Sequence, residues 1–364
     1  MLNVMVIFGG KSVEHDISII TGVLTTNVLD GVFNAIPVYI SKNGEWFYGE
    51  SLKNLNFFKN ENLKKCKRAT FKTGQAYLFE LKGNKVKGGI KIDCAVNCTH
   101  GVNGEDGMLS GVMQSLNIPI SSPDAFCSAV TMDKERTKIL LKGLKIKSLP
   151  YFTVLKGESE SGVIDKGKKL GFPLIIKPAN LGSSIGVAVV KEEGELISGL
   201  ENAFKYDGKV IVEKALTAFT EINCAVCFNG ERFLVSECEK PVTEGEILSF
   251  SDKYQKSVER EFPAKIDDAL SEKIKKISLE IYKQCGFRGI IRIDFLLADG
   301  RIYVNEINSV PGSLAYYLFC DTFSDFSLLM EKIVKNAIKE HAEKNGRCFK
   351  FSSDVLFGEY NNKK

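Results

Sequence analysis

The sequence predicts an α/β protein that opens with a doubly wound domain, and three observations carry that reading. The chain starts strand, Gly9-Gly10 turn, helix, strand, an order that lays parallel strands side by side under a helix. Apolar and charged fractions of 44% and 26% are those of a globular chain with material for a sizeable core. At 364 residues it is too long for one ordinary core, so two or three domains are expected. Strand-rich segments further on make the class α+β overall.

The first strand covers residues 3–8 and the first helix about 12–29, with Ile17, Ile20, Leu24 and Val28 at helical spacing as its expected core face. A strand at 35–40 follows, then a less regular insertion with hairpins over about 41–90. Residues 92–98 read as a buried strand ending in the polar loop 100–107, the kind of position where such sheets bind ligands. Near 125 the character changes: a helix over 125–141 leads to strands near 173–177, 185–190 and 210–214. From about 217 come strands at 221–228 and 232–238, a polar loop at 241–257, and an amphipathic helix over 267–284 with Leu270, Ile274, Ile277 and Ile281 on one face. A hairpin at 289–307 and a helix at about 324–343 close the chain, with no internal repeat. The domain boundaries read from these shifts are 1–124, 125–216 and 217–364.

Composition excludes several classes of function. Forty-nine basic against 45 acidic residues give a net charge of +4, with no basic face of the kind nucleic acid requires. The short run Lys64–Arg68 reads as a solvated loop. Ten scattered cysteines, several inside apolar strand-like runs, read as small hydrophobes in a reduced protein rather than as a disulfide framework. Cys224 and Cys227 form a C-x-x-C within a strand, and three histidines give no zinc-site spacing. No segment reads as a signal peptide or a membrane span, so a cytoplasmic protein acting on small soluble molecules is expected, with no membrane partner.

Chemistry concentrates in a few motifs. In Arg292-Ile293-Asp294 and Val304-Asn305-Glu306-Ile307-Asn308, alternation puts Arg292 with Asp294, and Glu306 with Asn308, each on one strand face. A strict two-residue Asp299-Gly300 turn would pair 294 with 305; an odd loop with a bulge pairs 294 with 306 and makes all four converge. Hard oxygens beside a fixed guanidinium suit Mg²⁺ and charge developing on a transferring phosphoryl or acyl group. The segment Lys177–Gly186 brings a lysine and a Gly/Ser loop whose amides, with Ser183 and Ser184, suit phosphate oxygens. Its G-x-S-x-G also fits a hydrolase nucleophile elbow, but a strand rather than a helix follows. The strand run at 210–216, with Glu213 and Lys214, offers backbone groups to an adenine edge, and Glu221 a carboxylate to ribose. Glu14 and His100 sit at carboxyl ends of strands, where a substrate ammonium meets Glu14. The loop with Lys253 and Tyr254 reads as a lid.

Together and in order, GGKSVEHDIS, THGVNGEDG, MDKERTK, KPANLGSSIG, VEKAL, DKY, RID and NEINSVPG resemble the D-alanine–D-alanine ligase family of the ATP-grasp superfamily, over nearly the whole chain. The resemblance implies an ATP-grasp fold preceded by a doubly wound domain, a homodimer, and a place in peptidoglycan synthesis. It implies ATP as substrate, with Lys134, Lys177 and the Ser183-Ser184 loop on its phosphates and Glu213, Lys214, Leu216 and Glu221 on adenosine. Asp294, Glu306 and Asn308 would bind two Mg²⁺, for which Mn²⁺ substitutes. Glu14, Ser183 and Tyr254 resemble the family's hydrogen-bonded set that orders helix and lid, and Glu14 and His100 would face the first amino acid. Arg292 would stabilise the acyl phosphate and the tetrahedral intermediate; Lys253, Gly312 and Tyr317 would meet the second substrate. Lys253-Tyr254 implies amide rather than ester formation. Tyr317 stands where the family usually has a Ser against the second carboxylate, and one extra residue precedes Glu221.

Three rival readings follow from the residues. A different second amino acid, such as D-serine, is favoured by Tyr317. A nucleotide-binding regulatory subunit with a dead site has no chemical need for the full set from Lys134 to Asn308. A serine hydrolase acting through Ser184 would require no ATP.

Overall fold

The computed structural model describes residues 1–60, 62–241 and 260–348. Strands β1 (Asn3–Gly9), β2 (Asn34–Ile40), β3 (Trp46–Tyr48), β4 (Lys67–Thr70), β5 (Tyr77–Lys82), β6 (Lys85–Lys91) and β7 (Cys94–Asn97) form one sheet in the order β6-β5-β4-β3-β2-β1-β7. β1 runs parallel to both β2 and β7, as a doubly wound start requires. The 41–90 segment is no separate insertion, since it adds four antiparallel strands to the same sheet.

Helix α1 (His15–Leu29) buries a different face from the one its spacing suggests. Ile19, Val23 and Leu29 are buried, whereas Ile20 is 47% exposed. Gly22 explains the rotation: a Cβ there would lie 2.1 Å from the Phe8 ring, so the helix presses its smallest residue onto β1. Ile17 and Ile20 are thereby left to line the cleft described below.

The helix expected over 125–141 is two, Ala125–Met132 and Lys134–Gly143. Asp133 breaks it, because its carboxylate accepts the N–H groups of Glu135 and Arg136, both at 3.1 Å, and caps the second helix. Beyond it, β8 (Tyr151–Leu155), β9 (Leu174–Pro178), β10 (Ala188–Val190) and β11 (Lys209–Lys214) form an antiparallel sheet in the order β10-β9-β11-β8. Helices Glu160–Leu170 and Leu196–Ala203 cover it with a core of its own.

A third sheet, β13-β12-β16-β17, is built from β12 (Thr220–Phe228), β13 (Phe233–Val235), β16 (Ile290–Ala298) and β17 (Arg301–Asn308). β13 is shorter than the expected 232–238, and the chain after it turns back so that Glu239 pairs with Asn223. A small ladder of β14 (Lys240–Pro241) and β15 (Arg260–Glu261) follows. The third sheet packs one face on helix Asp268–Gln284. From its other side Ala225, Cys227 and Ile290 join a core shared with β1, α1 and helix Phe323–Asn345. Cys224 and Cys227 thus fall into different cores, and none of the nine cysteines from Cys66 to Cys320 is in a disulfide. Among the described residues no helix is long and apolar enough to cross a membrane.

Candidate active site

The hairpin β16–β17 carries the densest chemistry. Its turn is the strict two-residue Asp299-Gly300, with Ala298 opposite Arg301, which alone gives the wrong parity. Register shifts between Asp294 and Phe295: the first pairs with Glu306, the second with Val304, and Asn305 is the extra residue. The bulge sits at Asn305, not at the turn where sequence reasoning put it, and it brings Asp294 opposite Glu306 and Arg292 opposite Asn308. β12 adds Asn223 opposite Asp294. Arg292 grips Asp294 through Nε at 2.7 Å and Nη2 at 2.9 Å, while Asn308 Nδ2 donates to the same carboxylate at 3.0 Å. Burial opposes the Arg292 charge, yet Asp294 holds its pKa well above the ordinary guanidinium value.

The donor set fits a hard divalent cation. Two carboxylates face each other across the pair, and Asn308, its Nδ2 on Asp294, keeps Oδ1 as an oxygen donor. No group of three or more His, Cys, Asp and Glu gathers as a cage among the described residues. A site with so few protein oxygens suits Mg²⁺, which retains waters and takes substrate phosphates as its other ligands.

Two lysines approach the same face, Lys134 from the start of the helix Lys134–Gly143 and Lys177 from β9. Lys134 donates to the Leu181 carbonyl at 2.6 Å, and burial lowers its pKa. Lys177 Nζ donates to Asn305 Oδ1 at 3.1 Å, so the bulge residue itself holds the lysine. Glu213 lies beneath, its two oxygens each 2.6 Å from Lys138 and Lys177. Burial favours its neutral form, but the two ammonium groups hold it down to about 2. Its carboxylate is committed to lysines, and its backbone is paired on both sides within the sheet, opposite Tyr151 and Ile175. Ser183 and Ser184 have left-handed backbone, φ 56° and 57°, in a loop that runs on to a strand and not a helix.

Glu14 closes the other wall. Ser183 donates its hydroxyl to Glu14 Oε1. Gly101, at φ +69°, makes room for that carboxylate: a Cβ there would lie 2.5 Å from Ser12 Oγ and 2.6 Å from Glu14 Oε2. His100 is buried with both nitrogens engaged. Nδ1 lies 2.8 Å from the Val310 carbonyl and must donate, so Nε2 accepts from the Thr21 hydroxyl at 2.9 Å. Burial pushes its pKa down to about 4, so the ring is neutral. Thr21 Oγ1 in turn accepts the Ser313 N–H at 3.0 Å. This chain pins three successive left-handed residues, Ser313, Leu314 and Ala315 at φ 51°, 51° and 48°, a conformation costing roughly 1–2 kcal/mol per residue.

Glu105, which sequence reasoning passed over, joins the same two loops. Its carboxylate accepts from Gly101 N at 3.0 Å and Val310 N at 3.1 Å. Burial, with Glu14 and Glu306 nearby, raises it to about 8. Also missed were Lys138, Asn305, Glu239 and Arg260. The E-D-G after the Gly-rich turn was the one available signal for Glu105; the others have none in local sequence.

Glu14, His100, Lys134, Ser183, Glu221, Arg292, Glu306, Asn308, Gly312 and Tyr317 line one cleft of about 440 Å³, whereas Lys177, Ser184, Glu213 and Asp294 are not part of its lining. Asn305 also faces it. A second cavity of about 410 Å³, mostly apolar, is walled by Lys177, Lys214, Leu216 and Phe219. Lys214 is fixed there by the Gly171 and Phe172 carbonyls, at 2.9 and 2.8 Å. Glu221 faces the larger cleft instead. Lys253 and Tyr254 lie outside the described residues.

Family models described as "D-ala D-ala ligase N-terminus" and "D-ala D-ala ligase C-terminus" match residues 3–123 and 140–339. A D-alanine--D-alanine ligase of Thermosipho melanesiensis is 40% identical over 94% of this chain and 96% of its own length. One of Campylobacter lari is 36% identical over 91% and 92%. Among solved structures, the D-alanine-D-alanine ligase of Helicobacter pylori matches with TM-score 0.75 at 30% identity, covering 92% of this chain and 98% of its own. The VanG D-Ala:D-Ser ligase of Enterococcus faecalis matches with TM-score 0.79 at 28% identity, covering 92% and 99%.

Proposed function

The chain belongs to the D-alanine–D-alanine ligase family, with that family's ATP-grasp fold, and from this premise we propose that it joins two D-alanine molecules at the expense of ATP. The dipeptide would serve peptidoglycan synthesis. The observation that carries the reading is convergence in one cleft of Arg292, Glu306, Asn308, Lys134 and the Glu14–Ser183 pair, with Asp294 buried behind and forked onto Arg292.

The first D-alanine carboxylate attacks the γ-phosphorus of ATP, giving an acyl phosphate and ADP. The second amino group attacks the acyl carbon, and the tetrahedral intermediate expels phosphate. No covalent protein nucleophile is needed; positioning and charge stabilisation carry the rate. Lys134, Lys177 and the amides around Ser183 and Ser184 hold phosphate oxygens. Lys214, Leu216 and the backbone that follows Glu213 hold adenine, with Glu221 toward ribose. Asp294, Glu306 and Asn308 would hold two Mg²⁺, Mn²⁺ substituting. Bound there, the cation supplies charge neutralisation on the phosphates. Glu14 takes the first substrate's ammonium. His100, neutral and doubly bonded, shapes that pocket. Arg292 meets the charge developing on the acyl oxygen. Lys253, Gly312 and Tyr317 serve the second substrate, and Tyr254 closes the lid onto Ser183 and Glu14.

ADP release measured with Mg-ATP across D- and L-amino acids tests the assignment. Stimulation by D-alanine is expected. None by D-alanine refutes that substrate, and none by any amino acid refutes the ligase. D-serine as second substrate is the alternative, favoured by Tyr317 and by the likeness to a D-Ala:D-Ser ligase; mixed D-alanine and D-serine in the same assay distinguish it. The division at 124 and 216 is proposed because each of the three large sheets lies within one part. A cytoplasmic place, supported by ATP use and by nine cysteines from Cys66 to Cys320 outside any disulfide, and a homodimer, checked by sedimentation velocity, complete the proposal.

A further inference from the structure

We propose that Arg260, seated on the ring of Tyr317, is the carboxylate anchor for the second, attacking amino acid, a role that rests on the ligase reading of this cleft. Arg260 opens β15, and its guanidinium carbon lies 4.2 Å from the Tyr317 ring centroid. Its Nε is 3.5 Å from Glu239 Oε1. Glu239 is 2% exposed and fixed by Asn223, whose side chain donates to Oε2 at 3.1 Å and whose backbone exchanges two hydrogen bonds with it at 2.8 and 2.9 Å. A buried carboxylate and an aromatic face therefore hold the guanidinium in one place on the cleft wall.

The 3.5 Å separation is too long for a strong charge-assisted hydrogen bond, and the Arg260 side chain is 47% exposed. Its charge is thus positioned by Glu239 without being consumed by it. Arg292 differs: it lies deeper and is forked onto Asp294. The Tyr317 hydroxyl is hydrogen-bonded to Arg292. A guanidinium only donates, so the hydroxyl accepts there and keeps its own proton. The hydroxyl of residue 317 is thus held at Arg292, while the face of its ring carries a second guanidinium, that of Arg260. The left-handed turn 313–315, pinned by Thr21, aims Tyr317 into the cleft and fixes the pair. One guanidinium faces the reacting acyl group and the other lies across the ring from it, where the carboxylate of an incoming amino acid would sit.

The test uses the full-length enzyme with Arg260→Gln and Arg260→Lys. ADP release against D-alanine is resolved into first- and second-site Michaelis constants. Product formation from D-alanine is then compared with that from D-alaninamide, which lacks the carboxylate, as the attacking amine. Arg260→Gln is expected to raise the second-site constant by roughly 10- to 100-fold, far more than the first. The preference for D-alanine over the amide should fall by a like factor, a ratio independent of how much variant is folded. Arg260→Lys, with charge but no planar fork, should recover part of it. Two constants rising together, or a preference unmoved by either substitution, overturns the role of Arg260. Absence of D-alanine-dependent ADP release in the unsubstituted enzyme overturns the ligase reading and this inference with it.

Discussion

Glu213→Gln keeps the shape of a side chain that is 1% exposed and removes the only charge between Lys138 and Lys177, themselves 2% and 12% exposed. Burial alone would raise the Glu213 pKa; the two lysines bring it from 4.5 to about 2. At about 1.4 kcal/mol per pH unit, that difference of 2.5 is worth about 3 kcal/mol. The sign is that of a carboxylate depressed in the folded state: its contribution is present above pH 4.5 and is lost as pH falls toward 2. Removing one partner from a buried ion pair costs a similar ~3–5 kcal/mol, because the partners left behind stay desolvated and here also repel each other. Urea unfolding of both proteins at pH 7 should therefore show the variant less stable by about 3 kcal/mol. The gap should shrink to roughly half by pH 3, because the unfolded carboxylate takes up its proton below pH 4.5 while the native one stays ionised. A gap below about 1 kcal/mol at pH 7, or one that does not change with pH, would refute the reasoning.

Glu306→Gln should cut ADP release by roughly 10²-fold or more with unfolding unchanged, since it removes a carboxylate charge and one oxygen from the cleft side of the hairpin; near-full turnover would show that the metal site lies elsewhere. His100, lowered to about 4, is neutral when folded but titrates near 6.5 when unfolded, so it withdraws stability as pH falls from 6.5 toward 4. Histidine NMR should show His100 silent above pH 5.5, and an ordinary titration near 6.5 would contradict its two hydrogen bonds. Gly101→Ala drives a Cβ against Ser12 and Glu14 at positive φ, and should lower stability by about 1–3 kcal/mol and weaken first-substrate binding. Gly31→Ala, at φ +92° with open space around it, is the control for backbone cost alone in thermal unfolding.

The parts legible in the sequence share one property: their information is local. Strand, Gly-Gly turn and helix at the start, the Gly/Ser loop after Lys177 and the alternation in both hairpin strands each lie within a short window. What was not legible needs a contact between distant segments. The buried face of α1 depends on Gly22 meeting Phe8, and apolar spacing pointed instead to Ile17 and Ile20, which line the cleft. The break at Asp133 was hidden because apolar spacing continues through it, and only the cap reveals it. Glu105 reaches Val310 across 205 residues, and Glu239 meets Asn223 only because the chain turns back after β13. No periodicity records such closures.

The hairpin shows how far parity can be pushed and where it stops. Alternation fixed which residues share a face, and convergence of Asp294 with Glu306 demanded one extra residue somewhere between them. The demand was sound, but parity counts residues without locating them. The turn at Asp299-Gly300 stayed strict, and the extra residue went to Asn305, next to the site itself. That location has a consequence that a bulge at the turn would lack. A bulged residue is released from the ladder, and Asn305 uses that freedom to accept Lys177 Nζ at 3.1 Å. The same backbone irregularity that sets Asp294 opposite Glu306 therefore also sets the lysine beside them. Substituting Asn305 should consequently disturb Lys177 before it disturbs the hairpin register, which Arg292–Asn308 pairing and the Asp294 fork hold independently.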